Sequence, residues 1–232
     1  MLEAVRRGTR RLLDGLLAQT CFVCGEECGP SSVCERCRSQ LPVDPLACPV
    51  CAVPTLEGTV CGRCLRDPPA FDATRAAFAY RFPVDRMVQA LKYRERLALA
   101  GFFAEALRPF RPPGDALIVP MPLHRRRLRE RGFNQAVEIA RPLARAWSLP
   151  LELAAVLRTV HTAPQASLPW KARSVNIRGA FRCDASLDGR AVIVVDDVMT
   201  TGATLDALAR TLKLRGAARV DNLVIARTPP PA

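Results

Sequence analysis

The chain has 232 residues, 49% of them apolar and 24% charged, with a formal net charge of +12. That is length for one ordinary domain plus a small one and composition for a packed core, which excludes a disordered or low-complexity chain. No segment nears the roughly 18 consecutive apolar residues of a membrane span, and a basic surplus of this size suits phosphate-bearing partners, small or polymeric.

In chain order, residues 1–20, "MLEAVRRGTRRLLDGLLAQT", read as a short amphipathic helix. Asp14 interrupts its apolar part and no small-residue cleavage site follows, so the expected location is cytoplasmic. The first 70 residues carry eight basic and eight acidic side chains, so the whole surplus falls in the remainder. Only three of the 34 basic residues are lysine (Lys92, Lys171 and Lys213); the rest are arginine, whose planar fork suits phosphate and carboxylate.

Residues 21–66 hold two cysteine units. Cys21, Cys24, Cys34 and Cys37 form C-x2-C-x9-C-x2-C, and Cys48, Cys51, Cys61 and Cys64 repeat it 27 residues later. A C-x2-C knuckle aims two thiolates at one metal, and two knuckles complete the tetrahedral sulfur cage of structural zinc. Disulfides are the competing reading, which a reducing compartment disfavours. Sequential pairing of knuckles gives two ribbons and interleaved pairing gives a cross-brace; the repeat favours the first. Cys28 and Cys183 fall outside the pattern as plain thiols. Few large apolar residues lie here, so metal binding has to supply much of the folding free energy. "RDPPAFD" at 66–72 reads as a linker.

From 73 to 228, apolar runs alternate with helical patterns. Strands are expected at 74–82, 116–122, 153–159, 192–197 and 220–227, and helices at 84–110 (one or two), 134–147 with a kink or break at Pro142, and 205–216. Strands separated by helices predict an α/β fold with a doubly wound, mostly parallel sheet. The densest basic block, His124–Arg131, reads equally as a solvated helix face or as ligand-binding charge. Neither His124 nor His161 has a metal-ligand spacing, and Trp170 reads as pinning a polar loop.

The most informative stretch is "VIVVDDVMTTGAT", 192–204. A buried strand delivers Asp196 and Asp197 to its carboxyl end, where open α/β sheets bind ligands. Thr200, Thr201, Gly202, Ala203 and Thr204 then turn into a helix, whose first N–H groups and dipole favour a phosphate. Two acids beside a phosphate cradle suit a sugar phosphate: the carboxylates accept from ribose hydroxyls and the turn holds the 5′-phosphate. A solvent-exposed acidic cap after a core strand is the plainer reading.

This stretch resembles, residue by residue, the phosphoribosyl-diphosphate signature of type I phosphoribosyltransferases. With "VPMPLHRRRLRERGFNQA" (119–136), "RTVHTAPQASLPWKARSVNIRGAF" (158–181) and the paired knuckles, the chain is similar to the ComF family, a zinc ribbon ahead of a phosphoribosyltransferase-like domain, over about 21–227. The resemblance implies a type I phosphoribosyltransferase-like sheet, bound 5-phosphoribosyl 1-diphosphate (PRPP) with magnesium, and a link to natural competence or gluconate utilisation. It implies a diphosphate loop after the 116–119 strand with Arg131 and Asn134 nearby, and a mobile loop carrying Gln165, Arg173 and Asn176. The last strand runs directly into "ARTPPPA", so a hood over an acceptor is expected from the zinc ribbons or the 84–110 helices, or not at all. Three functions fit: a transferase, a non-catalytic sensor of the same ligand, and a competence factor that handles single-stranded DNA or partners other competence proteins.

Overall fold

A computed structural model describes residues 19–28, 31–112, 114–160 and 179–229. The expected amphipathic helix, the 161–178 part of the substrate loop, and with it His161, Gln165, Trp170, Arg173 and Asn176 lie outside the described residues.

Four parallel strands form the main sheet: β1 (Ala73–Ala79), β2 (Ala116–Pro120), β5 (Ala191–Met199) and β6 (Arg219–Arg227), in the order β1-β6-β5-β2. β5 and β6 are central because both faces of each are apolar, as buried parallel strands require. Ile193 and Val195 of β5 join one core; Val192 and Val194 join the other.

Helices α3 (Val84–Tyr93), α4 (Ala98–Leu107) and α6 (Gln135–Trp147) fill the first core. Helix α7 (Ala203–Lys213) fills the second through Leu205, Leu208, Ala209 and Leu212. The sheet is therefore doubly wound, as its sequence pattern implies. The 84–110 segment is two helices: α3 ends before Glu95, which takes a left-handed φ of 51°, and a 3-10 turn, Arg108–Phe110, follows α4. Trp147 donates its indole N–H to the Arg108 carbonyl at 3.3 Å, tying α6 to that turn. Pro142 does not break α6; it removes one intrahelical donor while Ile139, Ala140 and Leu143 stay buried around it.

Two other expectations are corrected. The 153–159 run forms only the short β3 (Val156–Arg158), which pairs antiparallel with β4 (Phe181–Cys183), outside the main sheet. And β5 does not stop at the two aspartates but runs on to Met199, opposite Arg227 of β6. The turn beyond it is short, because Ala203 and Thr204 already belong to α7 and Gly202 is its N-cap.

The cysteine region seals an edge. The outer N–H groups of Thr74 and Ala79 on β1 donate to the Pro49 and Pro42 carbonyls at 3.1 and 2.9 Å. An open strand edge invites foreign pairing; here the ribbons occupy it. Their apolar residues divide across the sheet, Cys21, Val33 and Leu41 joining the first core and Cys48, Cys51 and Cys64 the second. On the far edge, Ile118 of β2 bonds Pro150 and Glu152 at 2.9 Å each. No helix among the described residues is long and apolar enough to cross a membrane.

Phe103 anchors the first core: it is 0% exposed, with its ring edge-on to Phe78 and Phe102 at centroid distances of 6.4 and 5.7 Å. Phe103→Ala is expected to lower unfolding free energy by about 3–5 kcal/mol, read from the denaturant midpoint.

Candidate functional site

Each cysteine unit closes on itself. The ligand sulfurs of Cys21, Cys24, Cys34 and Cys37 all lie within 4.8 Å of one another, and so do those of Cys48, Cys51, Cys61 and Cys64. Knuckles thus pair sequentially, not as a cross-brace. Zinc–thiolate bonds of about 2.3 Å in a tetrahedron place neighbouring sulfurs about 3.8 Å apart. The Sγ–Sγ distances of 3.8 Å for Cys24–Cys34 and 3.6 Å for Cys51–Cys61 fit that cage. Backbone amides support the sulfurs in matching positions: Cys34 N–H points to Cys21 Sγ at 3.4 Å and Cys61 N–H to Cys48 Sγ at 3.3 Å. These opened a short helix in each unit, α1 (Glu35–Ser39) and α2 (Gly62–Arg66).

The thiols alone cannot all ionise. Burial opposes the Cys21 thiolate, but amides of Cys24 and Cys34 outweigh it and bring the group down to about 6. Desolvation and then the neighbouring thiols drive Cys37 up to about 12. In the second unit, amide and thiol donors overcome burial to lower Cys61 to about 7, while burial and Cys51 push Cys64 up. A divalent cation resolves this conflict, and four thiolates leave it no open position. Both sites are structural zinc sites. Elemental analysis is expected to find two zinc ions per chain.

The second centre of chemistry is a cleft of about 540 Å3 at the carboxyl ends of β5 and β2. Asp197 is buried in its wall, 5% exposed. Its Oδ1 lies 2.8 Å from Lys92 Nζ of α3, and its Oδ2 accepts from Gln135 Nε2 of α6 at 2.6 Å. The Val198 N–H adds a third bond, to Oδ1, at 2.6 Å. Burial opposes charge on Lys92, yet the Asp197 carboxylate more than offsets it and raises the ammonium's pKa.

Asp196 stands beside it with its Oδ1 taking the Asp197 N–H at 2.8 Å. Burial, then the charge of Asp197, pushes Asp196 up to about 7. An acid whose pKa rises on folding binds more protons folded than unfolded, so its charge costs stability as pH climbs from about 4 to 7. Asp196→Asn is expected to raise the melting midpoint at pH 8 by a few degrees, with the gain shrinking toward pH 4. An equal shift at both pH values would contradict this.

The turn follows. Thr200, Gly202 and Thr204 line the cleft. Thr201 is buried; its Oγ1 accepts from the Ala203 N–H at 3.2 Å. Gly202 has a φ of 83°, and a Cβ there would stand 2.6 Å from Met199 Cε. The left-handed backbone therefore favours glycine here, while the Met199 methyl, at the end of a flexible side chain, could move aside for a Cβ. The positive end of α7 borders the cleft at this point.

Cations face the acids across the cleft. Arg131 closes α5 (Arg125–Arg131), donates to Gln135 Oε1 at 2.6 Å and lies over the Tyr93 ring at 5.1 Å. Arg127 and Arg158 also line the cleft. Burial and then Arg127 pull the Arg158 pKa down. Arg126, by contrast, pairs with Glu130 on the outer face at 2.8 Å. Asn134 is not on the cleft wall; its amide caps α6 through the Ala136 N–H at 3.0 Å and bonds the Met121 carbonyl at 3.0 Å. His124 caps α5.

Sequence reasoning did not single out Lys92, Gln135, Arg158, Gln89, Tyr80 or Tyr93. Gln135 directly follows Asn134, and Lys92 is one of three lysines in an arginine-rich chain. No local pattern marks Arg158 or the tyrosines.

Residues 12–65 match the family described as double zinc ribbon domain, and residues 131–230 match the phosphoribosyl transferase domain. DNA utilization protein YhgH of Escherichia coli K12 is 34% identical over 209 residues, spanning 86% of this chain and 92% of that protein. Competence protein F of Haemophilus influenzae is 31% identical over 178 residues, 72% of this chain and 78% of the relative. Competence protein ComFC of Bacillus subtilis is 29% identical over 208 residues, 84% of each.

Proposed function

Because the chain belongs to the ComF family, a double zinc ribbon joined to a phosphoribosyltransferase-like domain, we propose that its cleft binds PRPP, or a related sugar phosphate, with magnesium. One observation carries the reading: a carboxylate fixed on three sides, with a second beside it, stands at the mouth of a glycine-dependent turn that opens a helix. In this assignment Asp196 and Asp197 accept from the ribose hydroxyls. Thr200, Thr201, Gly202, Ala203 and Thr204 surround the 5′-phosphate. Arg131, with Arg127 and Arg158, faces the diphosphate, and Asn134 holds the Met121 turn rather than the ligand. Gln165, Arg173 and Asn176 belong to the proposal as loop residues that close over it.

Magnesium takes oxygen ligands and is commonly held by one or two carboxylates plus substrate phosphates. The donor set fits: burial and the repulsion of Asp197 hold Asp196 near neutrality in its titration, and a divalent cation relieves that repulsion. When bound, it would neutralise charge developing on the diphosphate as the anomeric bond breaks. The chain's own residues orient the sugar, and Lys92 holds the Asp197 carboxylate in place at 2.8 Å. Neither aspartate has to move a proton.

Helix α3 supplies the wall opposite the turn through Gln89, Lys92 and Tyr93. That is where an acceptor would sit. Diphosphate release on adding candidate acceptors separates a transferase from a sensor. The names of the relatives, DNA utilization and competence proteins, point the physiological role toward DNA uptake. Exposed Arg125 and Arg129 on α5 suit a single-stranded DNA backbone. A cytoplasmic location, where thiols stay reduced for zinc, belongs to the same reading.

Calorimetric titration with PRPP and magnesium is expected to give saturable heat with the wild type. Asp197→Ala, which strands Lys92, should weaken binding by about 30-fold or more, and Asp196→Asn, which keeps the shape, should also weaken it. Unchanged affinity in both variants would refute the assignment.

A further inference from the structure

Two side chains fasten the turn at 200–202 to the second zinc ribbon, and among the described residues nothing comparable joins it to the first. Arg227, at the end of β6, is 3% exposed. Its Nε donates to the carbonyl of Cys51, a zinc-site cysteine, at 2.8 Å. Its Nη1 donates to the carbonyls of Met199 at 3.1 Å, of Thr200 at 2.5 Å, and of Thr228. One guanidinium thus spans metal cage and turn. Arg63 is the second fastener. It lies between Cys61 and Cys64, and its Nη1 donates to the Thr201 carbonyl at 2.8 Å.

The 27-residue repeat supplies an internal control. Arg36 stands in the first unit where Arg63 stands in the second, between Cys34 and Cys37. Arg36 is exposed, and the first unit packs instead on the opposite face, where Arg38 lies over the Phe102 ring at 5.9 Å. The duplicated knuckles have therefore diverged: each covers a core, and among the described residues the second also holds the turn. The linker adds a further tie, the Ala70 N–H donating to Asp206 Oδ1 in the first turn of α7 at 2.6 Å. Phe71 packs near Gly202, where a Cβ would come within 3.8 Å of its ring.

We propose that the second zinc site and the phosphate turn form one linked unit, in which Arg63 and Arg227 act as positioning residues, so that ligand on the turn and zinc in the Cys48–Cys51–Cys61–Cys64 cage stabilise each other. The inference rests on the sugar-phosphate reading of the turn. Linkage is reciprocal: an ordered turn holds the Thr201 and Thr200 carbonyls where the two arginines need them, and an intact cage holds Arg63 and the Cys51 carbonyl where the turn needs them. Loss of the second zinc to a chelator would then switch off ligand binding, while loss of the first would not act through the turn.

The test is zinc release to a chromophoric chelator from the full-length protein, with and without saturating ribose 5-phosphate, whose binding is first measured by calorimetry. In the wild type one of the two release phases should slow by about fivefold or more on adding the sugar phosphate, the other being unchanged. Arg63→Met should abolish most of that slowing and weaken ribose 5-phosphate binding; the matched Arg36→Met should do neither. The paired ligand variants Cys61→Ser and Cys34→Ser give a second comparison, the first weakening the sugar phosphate and the second sparing it. Because Arg36 and Arg63 are both exposed, the arginine pair decides the matter if a cysteine variant does not fold. Measurable ribose 5-phosphate binding with release rates that ignore it, or equal effects of Arg63→Met and Arg36→Met, would overturn the linkage alone. Absence of any ribose 5-phosphate binding by the wild type would overturn the ligand reading and the linkage with it.

Discussion

The cleft depends on one buried carboxylate and its partners. Asp197 is held by Lys92, Gln135 and the Val198 amide. An ionised carboxylate away from water is costly unless it is paired and hydrogen-bonded. The partners come from α3 and α6, which flank the same face of the sheet, so the packing of those helices and the ionisation of the site are a single problem. The apolar core under α3, α4 and α6 sets the position of Lys92 and Gln135, and those two fix the orientation of the Asp197 carboxylate. Asp196, without an equivalent set of donors, keeps its proton toward neutral pH. Two adjacent residues of the same type therefore carry different chemistry.

The sheet also explains the placement of the zinc ribbons. They cover the exposed edge of β1 through the Pro42 and Pro49 carbonyls, and their cysteines join the cores on both faces. A segment with few large apolar residues cannot fold on its own burial, and metal supplies the difference. In return the ribbons protect an edge and, through Arg63 and Arg227, support the turn that β5 delivers.

Much of this was legible because the informative residues are local. The eight cysteines repeat in register, and the run from Val192 to Thr204 carries strand, acids, turn and helix start in one stretch. What escaped were long-range pairings. Lys92 meets Asp197 from a helix about a hundred residues earlier, and Arg227 meets Cys51 across most of the chain; no periodicity encodes such contacts. Strand limits differ from the sequence pattern for a related reason. The aspartates looked like a strand end because charges rarely sit inside a buried strand, yet pairing with β6 carries β5 on to Met199. The 153–159 run has strand composition, but its partner at 181–183 is more than twenty residues further along the chain. Asn134 is expected near the diphosphate loop, and its amide bonds the Met121 carbonyl of that segment while capping α6.

A crystal structure of the protein with ribose 5-phosphate and magnesium tests the central claim most directly. The account predicts the phosphate against Thr200–Thr204, with the sugar hydroxyls on Asp196 and Asp197 and the Lys92–Asp197 contact retained. A phosphate seated instead among the outward arginines of α5, with the aspartates untouched, would contradict it.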